Sequence, residues 1–446
     1  MKTMVLPVFL PEMNEREQRE YFQQTQRMEA MYGPKTKFCA PVSINEAFGK
    51  DADMVVFFQL TGSIFRYREE LKKISLPVIV LTSEFGTVEM WDWEIVAWLR
   101  EEVGMCVFAP YSREMAQVVF RALETKKRMK EEAVFLLFQD DPGEGMQAEI
   151  FKRFYWWEKE CREVIEKTLG VKILYRSWKA VNESAERISD EAAEQLWEQR
   201  REPCRDLERD SVLKAVKLYM AIRDEVQRIG NVAGVGSNCL NESYYSATTP
   251  CLAWNWMFEY DHIIWACEAD LVSLISEFII YGALCRPVMM TNIYPFLVGM
   301  AALKHERIES FPEIEDADNH ALGVHCGYFG FVPKSFCESW TLCPKVLEIV
   351  GKDALAVDCR MAPGPVTMAK LHTDMNRLTI IEAEIVDYVQ YPGSDCRNGA
   401  LIRYRNGNGH KVMEELSSHH AVLIEGRAAP QLLEVAKIYG FQVKVV

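Results

Sequence analysis

Short apolar runs alternate with long, charged, amphipathic stretches through the first third of the chain. Val5–Leu10, Met54–Leu60, Pro77–Leu81 and Met105–Ala109 read as strands, with helices over Glu15–Met31, Ile64–Lys73, Trp91–Glu102 and Arg113–Met129. Apolar runs joined by helices of this length predict βαβ crossovers and a parallel sheet covered on both faces. Residues 1–130 are therefore expected to form one doubly wound α/β domain. No Gly-x-Gly-x-x-Gly follows the first strand, so a dinucleotide site has no support.

The pattern then restarts. Ala133–Gln139 and Val171–Tyr175 are strand-like around a helix over Phe151–Leu169, with Asp140–Gly143 as a turn. Glu183–Arg209 reads as a charged helical region, and Ser211–Arg228 as an amphipathic helix stopped before Gly230. Asn231–Val235, Ile263–Cys267 and Pro287–Thr291 follow as strands, with a helix over Glu268–Leu284 between the last two. Residues 131–315 are expected to be a second doubly wound α/β domain. Beyond residue 316 the texture changes. Val366–Leu371, Leu378–Val389, Gly399–Arg405 and Ala421–Glu425 are β-prone and divided by turn clusters such as Asn406–Gly409, leaving one good helix at Pro430–Ile438. Residues 316–446 are expected to form a smaller β-rich, barrel-like domain.

A chain of 446 residues is too long for one core. Its 49% hydrophobic and 26% charged residues are ordinary for a globular protein, so composition does not disturb the α/β reading. The formal charge of −14 argues against nucleic acid or an anionic membrane as a partner. Thirteen cysteines are scattered without any Cys-x-x-Cys, which suits reduced thiols in a cytoplasm better than a disulfide framework or a zinc knuckle. Met4–Leu10 is too short for a signal segment and reads as a buried strand, while Leu271–Leu284 is broken by Ser273, Ser276, Glu277 and Gly282.

All eight histidines lie at or beyond His262. Histidine is the usual neutral metal ligand and proton shuttle, so the skew points to chemistry in the second half of the chain. An apolar strand delivers Glu268 at a strand-to-helix junction, where ligands of open α/β sheets favour binding; a carboxylate there serves as a cation ligand or base, or merely starts the helix. Asn292 ends the next apolar strand 24 residues later, one crossover away, so the two strand ends are expected side by side. An asparagine there offers a carbonyl oxygen to a metal, or simply forms a turn. His325, followed by Cys326 and Gly327, is a further ligand candidate or a structural histidine. The pair His419-His420 opens a strand, where adjacent side chains face opposite ways and one imidazole only enters a given site; a surface loop is the plainer reading. Trp254, Trp256 and Phe258 read as packing, or as a sugar platform or interface.

Taken jointly, these segments resemble the L-fucose isomerase and L-arabinose isomerase superfamily from about residue 130 to the C-terminus. The resemblance rests on Gly234–Leu240, Pro250–Ala253, Ala266-Cys267-Glu268-Ala269-Asp270, Gly364-Pro365-Val366-Thr367, and His419-His420 followed by Ala421, Val422 and Gly426. It implies an aldose–ketose isomerase that works through an enediol with a divalent metal, typically Mn²⁺. Glu268 then matches the first metal carboxylate and the base. Asn292 stands where fucose isomerases carry a second carboxylate, and so would be a ligand and catalytic position of altered chemistry. His325 matches an additional histidine of the arabinose enzymes as ligand or shuttle, and His420 the terminal histidine ligand. Oxygen and imidazole donors suit Mn²⁺, whereas thiolates favour zinc. Asp270 or metal-bound water would complete the proton relay that Asn292 cannot. A homo-oligomer, hexameric on the family's pattern, is also implied. Two alternatives stay open: a non-catalytic sugar-binding or regulatory protein, and another metal-assisted sugar conversion.

Overall fold

The computed structural model describes residues 2–33, 36–47, 49–81, 91–140, 159–237, 246–295, 314–324, 332–344, 354–389, 399–407 and 409–446. The first sheet is built from β1 (Thr3–Phe9), β2 (Thr36–Phe38), β3 (Val42–Ser43), β4 (Met54–Phe57), β5 (Val78–Val80) and β6 (Val107–Phe108). All pairings are parallel, in the order β2-β1-β4-β5-β6, with β3 beside β1. Val-rich strands of this kind are apolar on both sides because helices cover both faces. Ile64, Leu71, Ile95 and Leu99 pack on one face against Val8, Val55, Phe57 and Val78. On the other, Tyr21 meets Phe9 and Phe58 at ring separations of 5.9 and 5.5 Å, and Tyr32 meets Phe120 at 4.9 Å. The sheet is doubly wound, as the alternation of apolar runs and amphipathic stretches predicts. β2 and β3 are too short to leave a periodic signal in the sequence.

The second sheet is also parallel: β7 (Val134–Phe138), β8 (Lys172–Arg176), β9 (Val232–Ser237) and β10 (Ile264–Cys267) in the order β10-β9-β7-β8. The charged stretch 183–209 is not one helix. It ends the helix Trp178–Glu186, and the Ser189 side chain then accepts from the Ala192 N–H to start a second helix, Asp190–Gln199. Trp254 and Trp256 lie on the helix Cys251–Asp261 with no exposed surface, and Trp256 stacks on Trp197 at 6.1 Å. Of the readings open for this cluster, interior packing is the one observed.

The strands that follow are β11 (Val288–Pro295), β12 (His320–Val324), β13 (Cys337–Pro344), β14 (Leu355–Met361), β15 (Gly364–Leu371), β16 (Arg377–Val389), β17 (Gly399–Tyr404), β18 (His420–Glu425) and β19 (Gln442–Val445). Six of them close an antiparallel barrel in the order β15-β18-β11-β12-β17-β16, with β16 returning to β15. β19 adds to β16 in parallel, and β13 and β14 form a separate antiparallel pair. Closure leaves the barrel strands without free edges, which is why their apolar content needs no polar shielding.

One expected placement is corrected. The strand at 287–291 does not lie beside β10 in the second sheet but forms part of β11, a barrel strand held antiparallel by β18 and β12. The helix Leu271–Leu284 ends in a left-handed cap at Cys285, φ 51°, and the chain leaves for the barrel. A fully apolar strand carries no mark of which sheet it will join.

The molecule divides into two compact units. One contains residues 1–128, 282–284 and 433–440; the other contains residues 129–281, 285–432 and 441–446, including both the second sheet and the barrel. Among the described residues, no helix is long and apolar enough to cross a membrane.

Candidate functional site

Five polar groups from four different elements meet in the interior of the larger unit: Glu268 and Asp270 after β10, Lys370 of β15, His420 of β18 and Asn292 of β11. The β10 strand Ile264–Cys267 is wholly buried and stops at Glu268, whose φ is +56°, followed by Ala269 at +54°. Two successive non-glycine residues in the left-handed region are strained, and the surrounding contacts must hold them there. The Ala269 N–H donates to Ser237 O at 3.0 Å and the Asp270 N–H to Cys267 O at 3.1 Å, which ties the turn to β9 and β10. Gly236 gives the turn room: a Cβ there would stand 3.2 Å from Ala266 O and 3.4 Å from Ala269 Cα. Glu268 is therefore not in the first turn of a helix, as its sequence position predicts; the helix begins at Leu271.

Asp270 is the N-cap of that helix. Its Oδ1 accepts the Ser273 N–H at 2.9 Å, and its Oδ2 accepts the Ser273 hydroxyl at 2.7 Å. Lys370 of β15 donates from Nζ to the same Oδ2 at 3.0 Å and also reaches the Ser273 hydroxyl. Asp270 is 0% and Lys370 1% exposed. Burial alone would push the Asp270 carboxyl up, but the Lys370 ammonium and the His420 imidazole outweigh it and hold the group well below the usual carboxylate range. Burial pulls Lys370 below the ordinary lysine range, and Asp270 opposes that.

His420 opens β18 and has no exposed surface. Its Nδ1 lies 2.8 Å from Asp270 Oδ2, and its Nε2 lies 3.7 Å from Glu268 Oε2. Asn292 stands directly opposite His420 in the β11–β18 register. Opposed residues of an antiparallel pair project to the same face, so Asn292 and His420 are neighbours. Asn292 is 2% exposed; its Nδ2 donates to the Tyr294 hydroxyl at 3.4 Å, and its Oδ1 has no hydrogen-bond partner among the described residues. His419 stands beside the group, its ring 4.4 Å from that of His420 and 6.0 Å from that of Tyr294, and burial followed by the nearby His420 and Lys370 pulls its pKa well down.

Of the four sequence candidates, Glu268, Asn292 and His420 are thus brought to one place, though not by adjacent strand ends of one sheet. His325 lies outside the described residues. Lys370, Ser273 and Glu277 were not candidates. Glu277 is fully buried, and burial and then Asp270 push its carboxyl well above the ordinary range, against Lys370 and the Met290 backbone. The signal for these residues is present in the helix Leu271–Leu284: Asp270, Ser273 and Glu277 recur at helical spacing on an otherwise apolar element. A lysine within the apolar run of β15 is the matching signal on the other side.

A divalent ion is the group to test against these residues. Among the described residues, no set of three or more His, Cys, Asp and Glu side chains is disposed to hold a metal. The amide oxygen of Asn292, opposite His420, would add a third donor to the Glu268 carboxylate and the His420 imidazole. Its buried Oδ1 with no partner among the described residues is the kind of atom a cation satisfies. The His420 ring, fixed through Nδ1 by a carboxylate, also matches the support usual for ligating imidazoles. The donors fit a hard or borderline ion of the Mn²⁺ class. No family model matches this sequence, and no curated protein matches it.

Proposed function

We propose that this protein is a metal-dependent aldose–ketose isomerase acting on an aldose, deoxy or otherwise substituted, through an enediol. The observation that carries the reading is the convergence of Glu268 Oε2 and His420 Nε2, 3.7 Å apart, with Asn292 opposite His420. Glu268, Asn292 and His420 would hold the ion, with His325 as a further ligand or shuttle. When bound, a divalent ion polarises the sugar carbonyl and steadies the oxyanion of the enediol. Glu268 is the base that takes the proton from C2 and returns it to C1. Asn292 orients a sugar hydroxyl or carbonyl but takes no proton, so a water completes the transfer; Asp270, whose oxygens are taken by Ser273, Lys370 and His420, does not serve as the relay. The enzyme would act in the cytoplasm as a homo-oligomer, a hexamer on the pattern of the family it resembles.

The test is metal content by elemental analysis, beside a Glu268→Ala/His420→Ala double variant. Stoichiometric Mn²⁺ or another divalent ion, lost in the variant, supports the site and leads to a screen of aldoses for ketose formation. No metal after Mn²⁺ addition sinks the isomerase. The second reading, a non-catalytic sugar-binding protein, is favoured by Asn292 itself, a neutral amide that cannot serve as acid or base. Sugar binding without metal would establish it. A different metal-assisted sugar conversion would show metal but no ketose.

A further inference from the structure

We propose that Asp270 and Lys370 are positioning residues: Asp270 holds the His420 imidazole as its Nδ1–H tautomer, and Lys370 keeps Asp270 in place to do so. This deepens the metal-site reading and rests on it.

The argument starts from donors and acceptors. Asp270 Oδ1 is occupied by the Ser273 N–H at 2.9 Å. Around Oδ2 stand the Ser273 hydroxyl at 2.7 Å, the Lys370 ammonium at 3.0 Å and His420 Nδ1 at 2.8 Å. A carboxylate surrounded by donors only accepts, so the imidazole donates through Nδ1. An imidazole that ligates a cation must be neutral with a single N–H, so with Nδ1 donating to Asp270 the lone pair is left on Nε2. That atom faces Glu268 Oε2 at 3.7 Å. In the opposite tautomer Nε2 carries the N–H, and the lone pair is turned away from Glu268. Asp270 therefore decides which ring nitrogen carries the lone pair that a cation beside Glu268 would use.

Lys370 supplies the charge that makes a buried Asp270 tolerable. Both side chains are at most 1% exposed, and an unpaired carboxylate at that depth would be strongly disfavoured. Lys370 comes from β15 and Asp270 from the helix that follows β10, so their contact also fixes the barrel strand against the turn carrying Glu268.

The first measurement uses the full chain without metal. Ring-¹⁵N-labelled histidine is observed by long-range ¹H–¹⁵N correlation, with the His420 signals assigned through His420→Gln. Wild type is expected as Nδ1–H, Asp270→Asn as a mixture or as Nε2–H, and Lys370→Arg as wild type. Nε2–H or a doubly protonated ring in wild type, or an unchanged ring in Asp270→Asn, overturns the proposal. Lys370→Met is expected to release the tautomer; an unchanged ring there removes Lys370 from the proposal. Should Lys370→Met not fold, Asp270→Asn decides alone. The second measurement is Mn²⁺ binding by electron paramagnetic resonance, where Asp270→Asn is expected to bind roughly 10–100-fold more weakly. Equal Mn²⁺ affinity in both proteins overturns the positioning role and leaves the metal site standing. A locked wild-type tautomer without Mn²⁺ binding supports the positioning role and sinks the metal reading.

Discussion

Asn292 and His420 stand opposite each other on β11 and β18, two antiparallel strands of one barrel, with both side chains buried. The pair places a neutral amide where a carboxylate would add a second negative charge beside Glu268. Ligand charge is a principal control on the affinity of oxygen-rich divalent sites. Asn292→Asp is therefore expected to tighten Mn²⁺ binding, by about tenfold as an order of magnitude. Isothermal titration of wild type and variant checks it, and weaker binding in the variant would count against Asn292 as a ligand.

Glu268 is the base of the proposed proton transfer. Glu268→Gln keeps the shape and an oxygen donor but loses the base, so turnover of any aldose accepted by the wild type should fall about 10²–10⁴-fold. The substrate KM should change far less than kcat. A variant with near wild-type kcat would mean that another residue takes the proton.

The Asp270–Lys370 pair makes a prediction about stability that is independent of catalysis. Removing one partner of a buried ion pair strands the other, at a cost of about 3–5 kcal/mol. Lys370→Met should show a loss of that size in urea unfolding. The Asp270→Asn/Lys370→Met double variant should recover part of it, since no charge is then left unpaired. If single and double variants lose stability additively, the two groups do not interact in the way their 3.0 Å contact requires.

Glu277 predicts a pH dependence. Its folded-state pKa lies well above the unfolded value because burial, and then Asp270, penalise the charged form. The folded protein therefore holds a proton that the unfolded chain has lost, and stability falls as pH rises above about 4.5 toward the folded pKa. Each pH unit in that window costs about 1.4 kcal/mol. Glu277→Gln removes this dependence. It should be more stable than wild type at pH 8, with the difference vanishing near pH 4.5, as followed by urea unfolding across the range. A parallel pH profile in the two proteins would show that Glu277 is ionised in its buried position.

Gly236 tests the strained turn that carries Glu268. A Cβ at this position would meet Leu137 Cδ2 at 2.9 Å and the Ala266 carbonyl at 3.2 Å. The leucine can yield, but the backbone oxygen must shift, and that oxygen lies two residues before Glu268. Gly236→Ala should cost about 1–3 kcal/mol and weaken Mn²⁺ binding at the same time. Lost stability with unchanged Mn²⁺ affinity would separate the turn from the site.

The sequence by itself determined the local elements. Contiguous apolar runs mark the strands of both parallel sheets except β2 and β3, because a strand buried on both faces must be apolar throughout. The change of texture after residue 316 marks four of the six barrel strands, β15 to β18, while β11 precedes it and β12 carries no readable signal; Glu268, Asn292 and His420 are legible as polar residues at the ends of apolar strands. Tertiary structure decided what each of these residues meets. Apolar runs carry no address, so the strand ending near Asn292 could be read as part of the second sheet although it closes the barrel. The left-handed turn at Glu268 depends on Ser237 O and on the space over Gly236, neither of which is near it in sequence. Lys370 meets Asp270 across 100 residues of chain. Hydrophobic burial is non-directional and readable from composition and period, whereas hydrogen-bond and charge pairing at a site is directional and fixed by long-range register.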